Sequence, residues 1–356
     1  MKVDSYPTVT AVIPCFNASK TIERCLRSVA SQSIPFDQIL VCDDGSTDGT
    51  ADVVKSAAIS LGIKITLLRQ EHAGVANARN HAVSHAHCDF VSFVDADDEY
   101  HADTLASLKS IHSKNTDAVV CFGDALRREN GRIGNQSYLR PKLVEEGVDF
   151  IRDGSSLKLV DPFAQLLPGA FIAPGTFMIR RDAFPAAGPC DPKLPSAVDR
   201  DMFLNVALHC SGPWAFTWAK LATIHYQSNS LSSRDNAIRH SMNALNVLEK
   251  YRNFLPEKGA HLEILLGAEK ESIEKALYWA SAKGPSFVHR TFLAIPSRHK
   301  DAEAYFLYGR RLIESLLRAP LNRPLSERTN FLDTLRRTPV GRQAAGAQEC
   351  EVASDR

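Results

Sequence analysis

The chain has 356 residues and a formal net charge of +1, and its charged and apolar fractions are 23% and 44%, close to those of an ordinary soluble globular protein. The nearly neutral charge gives no reason to expect a nucleic-acid partner, and no apolar run approaches the roughly 18 residues that suggest a membrane span. This length predicts one large domain with an appendage.

The cysteines and histidines indicate in which cellular compartment the protein is expected and whether a zinc site is expected. The eight cysteines are scattered without a CxxC pair, which argues against a disulfide framework and favours reduced, structural thiols. Residues 1–7 also lack the apolar core of a signal peptide, so we expect a cytoplasmic protein. Four histidines lie close together in sequence, but without a cysteine or a second fixed-spacing pair they favour an exposed helix surface over a zinc site. They are His72, His81, His85 and His87.

Apolar periodicity predicts strands that alternate with helices along the first third of the chain. The predicted strands are residues 9–14, 38–42, 63–68, 90–94 and 117–122, and the predicted helices are residues 21–32, 48–58, 74–87 and 103–112. Strands that alternate with helices of this length form βαβ units around a mainly parallel sheet. The predicted fold class is therefore α/β, with helices flanking the sheet.

Two of the predicted strands end in clustered aspartates. The second strand leads into Asp43 and Asp44, and the fourth leads into Asp95, Asp97 and Asp98. Because parallel strands end at one edge of a sheet, where open α/β sheets bind ligands, both clusters should face a single crevice. A divalent cation such as Mg²⁺ would offset the like charges, since it prefers one or two carboxylates together with substrate phosphates. The alternative is a solvated acidic turn that caps the next helix.

Four linked motifs resemble those of family 2 glycosyltransferases, which have the GT-A fold. They are Pro14-Cys15-Phe16-Asn17, Asp43-Asp44-Gly45-Ser46-Thr47-Asp48, Gly74 with Ala78-Arg79-Asn80, and Val94-Asp95-Ala96-Asp97-Asp98. Their order and spacing match over roughly the first 100 residues, which makes the signal specific. The resemblance implies a GT-A type nucleotide-binding sheet, a nucleotide-sugar donor (most often a UDP-sugar), inversion at the anomeric carbon, and Mg²⁺ or Mn²⁺ as cofactor.

The resemblance also implies roles for individual residues. Asp44 would accept the N–H of the base, Asp43 would shape the turn, and Asp95 and Asp97 would form a DxD motif that reaches the ribose and holds the metal. Asp98 is a further candidate metal ligand. The implied nucleotide-binding residues are Pro14, Asn17, Asp43, Asp44, Arg79, Asp95 and Ala96. Two alternatives stay open, namely an Arg79 that only pairs with a nearby carboxylate and an Asn17 that only caps a helix.

Beyond residue 125 the pattern is less regular, as expected for an acceptor-binding half. Residues 127–140 predict a hairpin or loop, and residues 174–181 predict a strand that ends in two arginines. Gly175 and Thr176 at the start of this strand are candidate acceptor contacts. The glycine would permit close backbone approach beneath the acceptor sugar, and a strand bulge is the alternative.

Residues 196–204 resemble the family's Glu-Asp-x-Asp segment at the start of a helix. Val198 stands where the Glu usually does, Asp199 falls at the catalytic Asp, and Arg200 is a candidate acceptor contact. An acceptor hydroxyl that attacks the anomeric carbon must lose a proton, which a positioned carboxylate can accept. The alternative is that Asp199 and Asp201 are first-turn acids favoured by the helix dipole.

Two rival functions are weighed against this enzyme. Val198 at the Glu position keeps a non-catalytic nucleotide-sugar-binding protein as an alternative. A nucleotidyltransferase is disfavoured, because residues 14–20 lack a Gly-rich basic loop. The expected acceptor is a hydroxyl of a glycan or lipid-linked saccharide in cell-surface polysaccharide synthesis.

The last third of the chain is predicted to be helical. A strand at 214–224 precedes His225, which could contact the metal or diphosphate or could simply pack. Amphipathic stripes then predict helices, which pack on a core, on a second subunit or, where basic, on the inner face of a membrane. The stripes fall at residues 238–248, 262–280 and 305–317.

These patterns predict three segments. A GT-A domain covers residues 1–232, with a nucleotide-sugar half (1–125) and an acceptor half (126–232). A helical extension covers residues 233–320. The small, polar tail over 321–356 is expected to be partly disordered.

Overall fold

The computed structural model describes residues 6–129, 132–139, 149–186, 188–226, 236–256, 259–300 and 302–318. The described residues divide into two compact units, one drawn from Met1–Arg234 and Asn246–Ala268 and the other from Asp235–Leu245 and Glu269–Arg356. The first unit contains the sheet, and the second is helical. Within the described part of the chain, no helix is both long enough and apolar enough to cross a bilayer. The predicted disordered tail lies outside the described residues.

The first half of the sheet unit alternates strands and helices as the sequence predicts. Its elements are β1 Val9–Cys15, α1 Ile22–Ala30, β2 Gln38–Asp43, α2 Thr50–Leu61, β3 Thr66–Arg69, α3 Val75–Ser84, β4 Phe90–Phe93, β5 Glu99–Tyr100 and α4 Thr104–Ser113. Every predicted helix and strand up to α4 is present with small shifts at its ends. The two-residue strand β5 was not predicted, because so short a segment has no readable periodicity.

The later elements depart further from the prediction. They are β6 Val120–Glu129, β7 Arg132–Ser137, β8 Phe150–Asp153, β9 Ser156–Leu159, α5 Pro162–Leu166, β10 Phe177–Arg180, α6 Val198–His209, β11 Trp214–Tyr226, α7 Ala237–Arg252, α8 Ala260–Lys283, α9 Pro285–Ala294 and α10 Ala302–Arg318. Residues 127–140 were predicted as a hairpin or loop, and the described part of this range contains the end of β6 and all of β7, which pair antiparallel. The β8–β9 hairpin, α5 and α9 carry no signal that the sequence analysis used.

The sheet order explains why the two acidic clusters meet. The order is β3-β2-β1-β4-β10-β6-β11-β9-β8, and β2, β1 and β4 are parallel neighbours. The strand ends that precede Asp44 and Asp95 therefore lie at the same edge of the sheet, as predicted. We call this the carboxyl edge. Strand β10 is antiparallel to both of its neighbours, so its first residues, next to Gly175 and Thr176, also lie at this edge.

Strand β1 is buried on both faces because both sides of the sheet are covered. Its alternate residues enter different apolar clusters, with Ile13 in one and Val12 in the other. Helix α1 covers the Ile13 side through buried side chains at helical spacing, including Ile22, Leu26 and Val29. This continuous apolar pattern is typical of a central parallel strand, which holds the carboxyl edge rigidly.

Helix α6 is anchored by a buried polar cluster. Asp201 is fully buried, and its carboxylate accepts a hydrogen bond of 2.7 Å from the Lys250 ammonium and one of 3.0 Å from the Tyr251 hydroxyl. The Tyr251 hydroxyl also lies 2.8 Å from the main-chain oxygen of Asp201. A buried carboxylate is tolerated only when it is paired in this way. The end of α7 thus fixes the first turn of α6, where Asp199 lies.

We predict that Tyr251→Phe lowers the free energy of unfolding by about 1–2 kcal/mol, because the buried Asp201 loses a hydrogen-bond donor. Urea denaturation followed by circular dichroism measures this change. Tyr278→Phe is the control, since the Tyr278 side chain is largely exposed. Equal stability of the two variants would contradict the anchoring role of Tyr251.

Candidate active site

Asp44 is the most heavily coordinated carboxylate at the carboxyl edge. It is 2% exposed, and its Oδ1 accepts hydrogen bonds from Gln70 Nε2 at 2.7 Å and Ala73 N at 2.9 Å. Its Oδ2 accepts one from Gly74 N at 2.8 Å and lies 2.9 Å from His72 Nδ1. Since Gly74 is the N-cap of α3, Asp44 holds the start of that helix.

The turn after β2 is bound to the loop after β1. The Asn17 side-chain oxygen accepts a hydrogen bond from Thr47 N at 3.0 Å, while Asn17 N donates to the Ser46 hydroxyl at 2.8 Å. Asn17 adopts φ +48°, a left-handed conformation that asparagine tolerates. The alternative that Asn17 caps α1 is wrong, because Thr21 is the N-cap of that helix. Pro14 is buried on β1 beside these loops.

Asp43, at the end of β2, stabilises the same turn. Its carboxylate accepts hydrogen bonds from Ser46 N at 2.9 Å and from the Arg69 guanidinium at 3.0 Å. Asp43 is fully buried, so this pairing is needed to offset the loss of hydration. The geometry agrees with the turn-shaping role that the resemblance implies for Asp43.

Arg79 joins the two acidic regions of the site. Its guanidinium donates to Asp199 Oδ1 at 2.6 Å and to Asp95 Oδ1 at 3.0 Å, and it is 2% exposed. Burial lowers the pKa of Arg79, but Asp199 and Asp95 together more than offset this and leave it raised. Arg79 therefore pairs with nearby carboxylates, as the alternative interpretation of this residue predicts. The Asp199 side chain keeps 33% of its surface exposed.

The acidic cluster after β4 is only partly neutralised. Burial, followed by repulsion from Asp95, raises the pKa of Asp97 to about 6. Burial and repulsion from Asp95 and Asp97 also raise the pKa of Asp98, whose carboxylate accepts a hydrogen bond from His225 N at 2.8 Å. Among the residues that the structure describes, neither Asp97 nor Asp98 forms an ion pair. Ala96, between Asp95 and Asp97, is buried.

This donor set suits a hard divalent cation. Asp98 is buried and Asp97 is half-buried, and two neighbouring carboxylates that repel each other gain most from a cation that supplies the missing positive charge. No group of three or more His, Cys, Asp or Glu side chains in the described ranges is arranged to hold a metal by itself. A cation such as Mg²⁺ takes only one or two carboxylates and completes its coordination with water and substrate phosphates, so Asp97 and Asp98 fit it.

His225 lies beside this cluster. Its Nε2 lies 2.6 Å from Glu99 Oε1, and Arg24 Nε contacts the same oxygen at 3.1 Å. Burial, and to a lesser extent Arg24, lowers the pKa of His225. A neutral imidazole that donates from Nε2 keeps a lone pair on Nδ1. The structure places His225 next to the predicted metal ligand Asp98, and its proposed contact with a metal or diphosphate stays a prediction.

The predicted acceptor residues are buried. Gly175 has φ +76°, and its N–H donates to the main-chain oxygen of Phe93 at 2.6 Å. A Cβ at this position would lie 3.1 Å from the Ala222 side chain, which is one reason for glycine here. Thr176 is fully buried and donates to Ala173. Arg200 is 5% exposed and donates to the main-chain oxygen of Leu167, a contact that serves the fold.

Several residues of the site escaped the sequence analysis. Arg24 on α1 donates to the main-chain oxygen of Asp97 and pairs with Glu99, which no local pattern could reveal. Phe16 stacks on His72 with ring centroids 4.0 Å apart. In the sequence, His72 is visible only as one of four neighbouring histidines. Its position between two strand-end loops depends on the β1–β2–β3 order, which the local pattern does not reveal. The aromatic residue Phe16 inside the first motif was the one sequence feature that could have indicated this stacking surface.

We predict that Asp97→Asn raises the free energy of unfolding of the metal-free protein at pH 7.5 by on the order of 1–2 kcal/mol. A carboxyl whose pKa is raised on folding favours the folded state below its unfolded pKa and loses that contribution as the pH rises through about 6. The gain should therefore disappear near pH 4. Urea denaturation at both pH values measures it, with the exposed Asp117→Asn as control. An equal gain at both pH values would contradict this account of Asp97.

Comparisons with known proteins identify a family and a fold. Residues 10–186 match the model of glycosyl transferase family 2. TuaG of Bacillus subtilis strain 168, a glycosyltransferase named for teichuronic acid biosynthesis, is 33% identical over 126 residues, which cover 35% of this chain and 50% of TuaG. The chain spans about half the length of TuaG and of other curated relatives that it matches.

Solved structures show the same fold. The S. aureus TarS 1–349 complex with UDP-GlcNAc has a TM-score of 0.57 at 18% identity, covering 86% of this chain and 89% of that one. The mannosyltransferase PcManGT from Pyrobaculum calidifontis, in complex with GDP-Man and Mn²⁺, has a TM-score of 0.54 at 18% identity, covering 88% and 87%. The predicted GT-A type fold is therefore confirmed, and the chain belongs to glycosyl transferase family 2 through residues 10–186.

Proposed function

We propose that this chain is a metal-dependent, inverting glycosyltransferase that moves a sugar from a nucleotide sugar to a hydroxyl group. The observation that carries this proposal is the convergence of Asp95 and Asp199 on one buried guanidinium, that of Arg79. This contact brings the DxD motif and the proposed base, which are far apart in sequence, to the same edge of the sheet. A transferase needs these two functions side by side, because one residue set binds the donor and the other activates the acceptor.

The donor is proposed to be a UDP-sugar. Asp44 offers a buried carboxylate that suits a ring N–H, and Phe16 beside it offers an aromatic ring that is 45% exposed. Pro14, Asn17 and Asp43 form and support the turns that surround this pocket. TarS is solved with UDP-GlcNAc and PcManGT with GDP-Man, so both uracil and guanine nucleotides are represented among similar folds.

Asp97 and Asp98 are proposed to hold Mg²⁺ or Mn²⁺, and Asp95 to contact the donor ribose or the metal. When bound, the metal stabilises the negative charge on the departing diphosphate. PcManGT was solved with Mn²⁺, which agrees with this choice of cation.

Asp199 is proposed to act as the general base. As the acceptor oxygen forms its bond to the anomeric carbon, its proton passes to the Asp199 carboxylate. The bond between the anomeric carbon and the diphosphate oxygen breaks with its electron pair on the diphosphate, and the configuration inverts. Arg79 holds Asp199 in place and leaves part of its carboxylate exposed to the crevice.

The acceptor is proposed to be a glycan or lipid-linked saccharide in cell-surface polysaccharide synthesis. The name of TuaG supports this assignment, and so does its 33% identity within the matched region. We propose that Gly175 and Thr176 form the floor of the acceptor site. Arg200, whose guanidinium is engaged with Leu167, would act on the acceptor only through the position of α6.

We predict that Asp97→Asn weakens the affinity for UDP in the presence of Mn²⁺ at least tenfold and leaves UDP binding without metal unchanged. Removal of one negative charge weakens cation binding without disturbing the base pocket. Isothermal titration calorimetry with and without Mn²⁺ measures both affinities, and Asp117→Asn is the control. Since the same Asp97→Asn variant should be more stable than wild type, unfolding cannot explain a loss of affinity. Unchanged Mn²⁺-dependent binding would remove Asp97 from the metal site.

We predict that Asp199→Asn keeps UDP affinity and lowers sugar transfer at least a hundredfold, because an amide cannot take the acceptor proton. Its side-chain oxygen can still accept from Arg79, so the fold should survive. Transfer is measured with nucleotide sugars selected by a thermal-shift screen with Mn²⁺, since a bound donor stabilises the folded protein. Near-normal transfer by Asp199→Asn would exclude it as the base. A wild-type protein that binds donors but neither transfers nor hydrolyses them would favour a binding protein instead.

A further inference from the structure

We propose that His72 occupies the place of the nucleobase when the donor site is empty, and that its ring must leave before a nucleoside diphosphate can bind fully. This inference rests on the proposed function, because it takes Asp44 and Phe16 as the surfaces that receive the base. It adds a residue that lowers donor affinity by competing with the ligand.

The Asp44 carboxylate has no acceptor position to spare. A carboxylate offers about four lone-pair directions, two on each oxygen. Gln70 and the main-chain N–H of Ala73 and of Gly74 take three of them, and His72 Nδ1 at 2.9 Å takes the fourth. A base that donates its ring N–H to Asp44 must therefore displace one of these groups.

Three of the four groups are fixed by the fold. The N–H groups of Ala73 and Gly74 belong to the backbone at the start of α3, so their removal would unwind the first turn of that helix. The amide of Gln70 is held at both ends, because its oxygen lies 2.9 Å from His81 Nδ1 while its nitrogen donates to Asp44. Of the four groups, His72 is therefore the one that a base can displace.

The His72 side chain lies at the protein surface. Its side chain is 56% exposed, although the carboxylate beside it is almost completely buried. Apart from Asp44, the ring contacts Phe16, on which it stacks with an angle of 21° between the planes. Rotation about the side-chain bonds of His72 would expose both the carboxylate and the aromatic face in one movement.

His72 imitates a pyrimidine in two respects. Its Nδ1 faces two oxygen acceptors, Asp44 Oδ2 at 2.9 Å and the main-chain oxygen of Asp44 at 3.2 Å, so this nitrogen carries the proton. Its flat ring covers Phe16 at stacking distance. A planar base with a ring N–H, such as uracil or guanine, would make the same two contacts with the same two residues.

Competition of this kind weakens binding by a calculable factor. The apparent dissociation constant equals the intrinsic constant divided by the fraction of molecules in which the site is open. One hydrogen bond and one aromatic stack are enough to keep that fraction at roughly 10–30%. Removal of the ring should then tighten nucleotide binding about three- to tenfold.

The test compares wild type with His72→Ala and with His87→Ala, a control at another exposed histidine. Calorimetry measures the affinities for UDP, GDP and inorganic pyrophosphate, each with Mn²⁺. We expect His72→Ala to bind the preferred nucleotide about three- to tenfold more tightly and to bind pyrophosphate, which has no base, as wild type does. His87→Ala should match wild type with all three ligands.

Unchanged or weaker nucleotide binding by His72→Ala would overturn the inference, and a weaker affinity would indicate that His72 clamps the base from above. An equal gain for pyrophosphate would also overturn it, because the effect would then not arise at the base. A wild-type protein that binds none of the nucleotides would contradict the proposed function itself, and this result is distinct from the two outcomes above.

A second measurement does not depend on affinity. The imidazole ¹H–¹³C signal of His72, identified by its loss in His72→Ala, carries a ring-current shift from Phe16. We expect saturating nucleotide, but not pyrophosphate, to remove this shift as the ring leaves the stack. A His72 signal that keeps its position in the nucleotide complex would show that the ring stays in place, contrary to the inference.

Discussion

The contact of Arg79 with Asp95 and Asp199 is the interaction on which the rest of the site depends. A buried guanidinium is tolerated only when carboxylates compensate it, and here two half-buried carboxylates do so. The three groups come from α3, from the turn after β4 and from the first turn of α6. Their mutual compensation fixes these three elements at one point of the carboxyl edge.

Some carboxylates around the site are paired with a lysine or arginine side chain, and others are not. Asp43 is paired with Arg69, Asp95 and Asp199 share Arg79, and Asp201 is paired with Lys250. Asp97 and Asp98 form no ion pair in the described part of the chain, and burial raises the pKa of both. Because these two carboxylates lack a cationic partner among the described residues, they are suited to a ligand that brings positive charge.

Helix α3 links the two ends of the proposed donor site. Asp44 accepts hydrogen bonds from the N–H groups of Ala73 and Gly74, immediately before this helix, and places a negative charge at the positive end of the helix dipole. Arg79 lies on the same helix and holds Asp95 and Asp199. One helix therefore connects the residues of the proposed base pocket to the guanidinium that holds Asp95 and Asp199.

The sequence by itself determined the alternation of strands and helices through α4, because buried strands and amphipathic helices have distinct periodicities that need only local information. It also determined that the Asp44 and Asp97 regions share one edge, since parallel neighbours end together. Only the tertiary structure decided the antiparallel insertion of β10, the pairing of β5 with β11, and which carboxylates share Arg79. These features depend on contacts between residues far apart in the chain, for which local periodicity carries no signal.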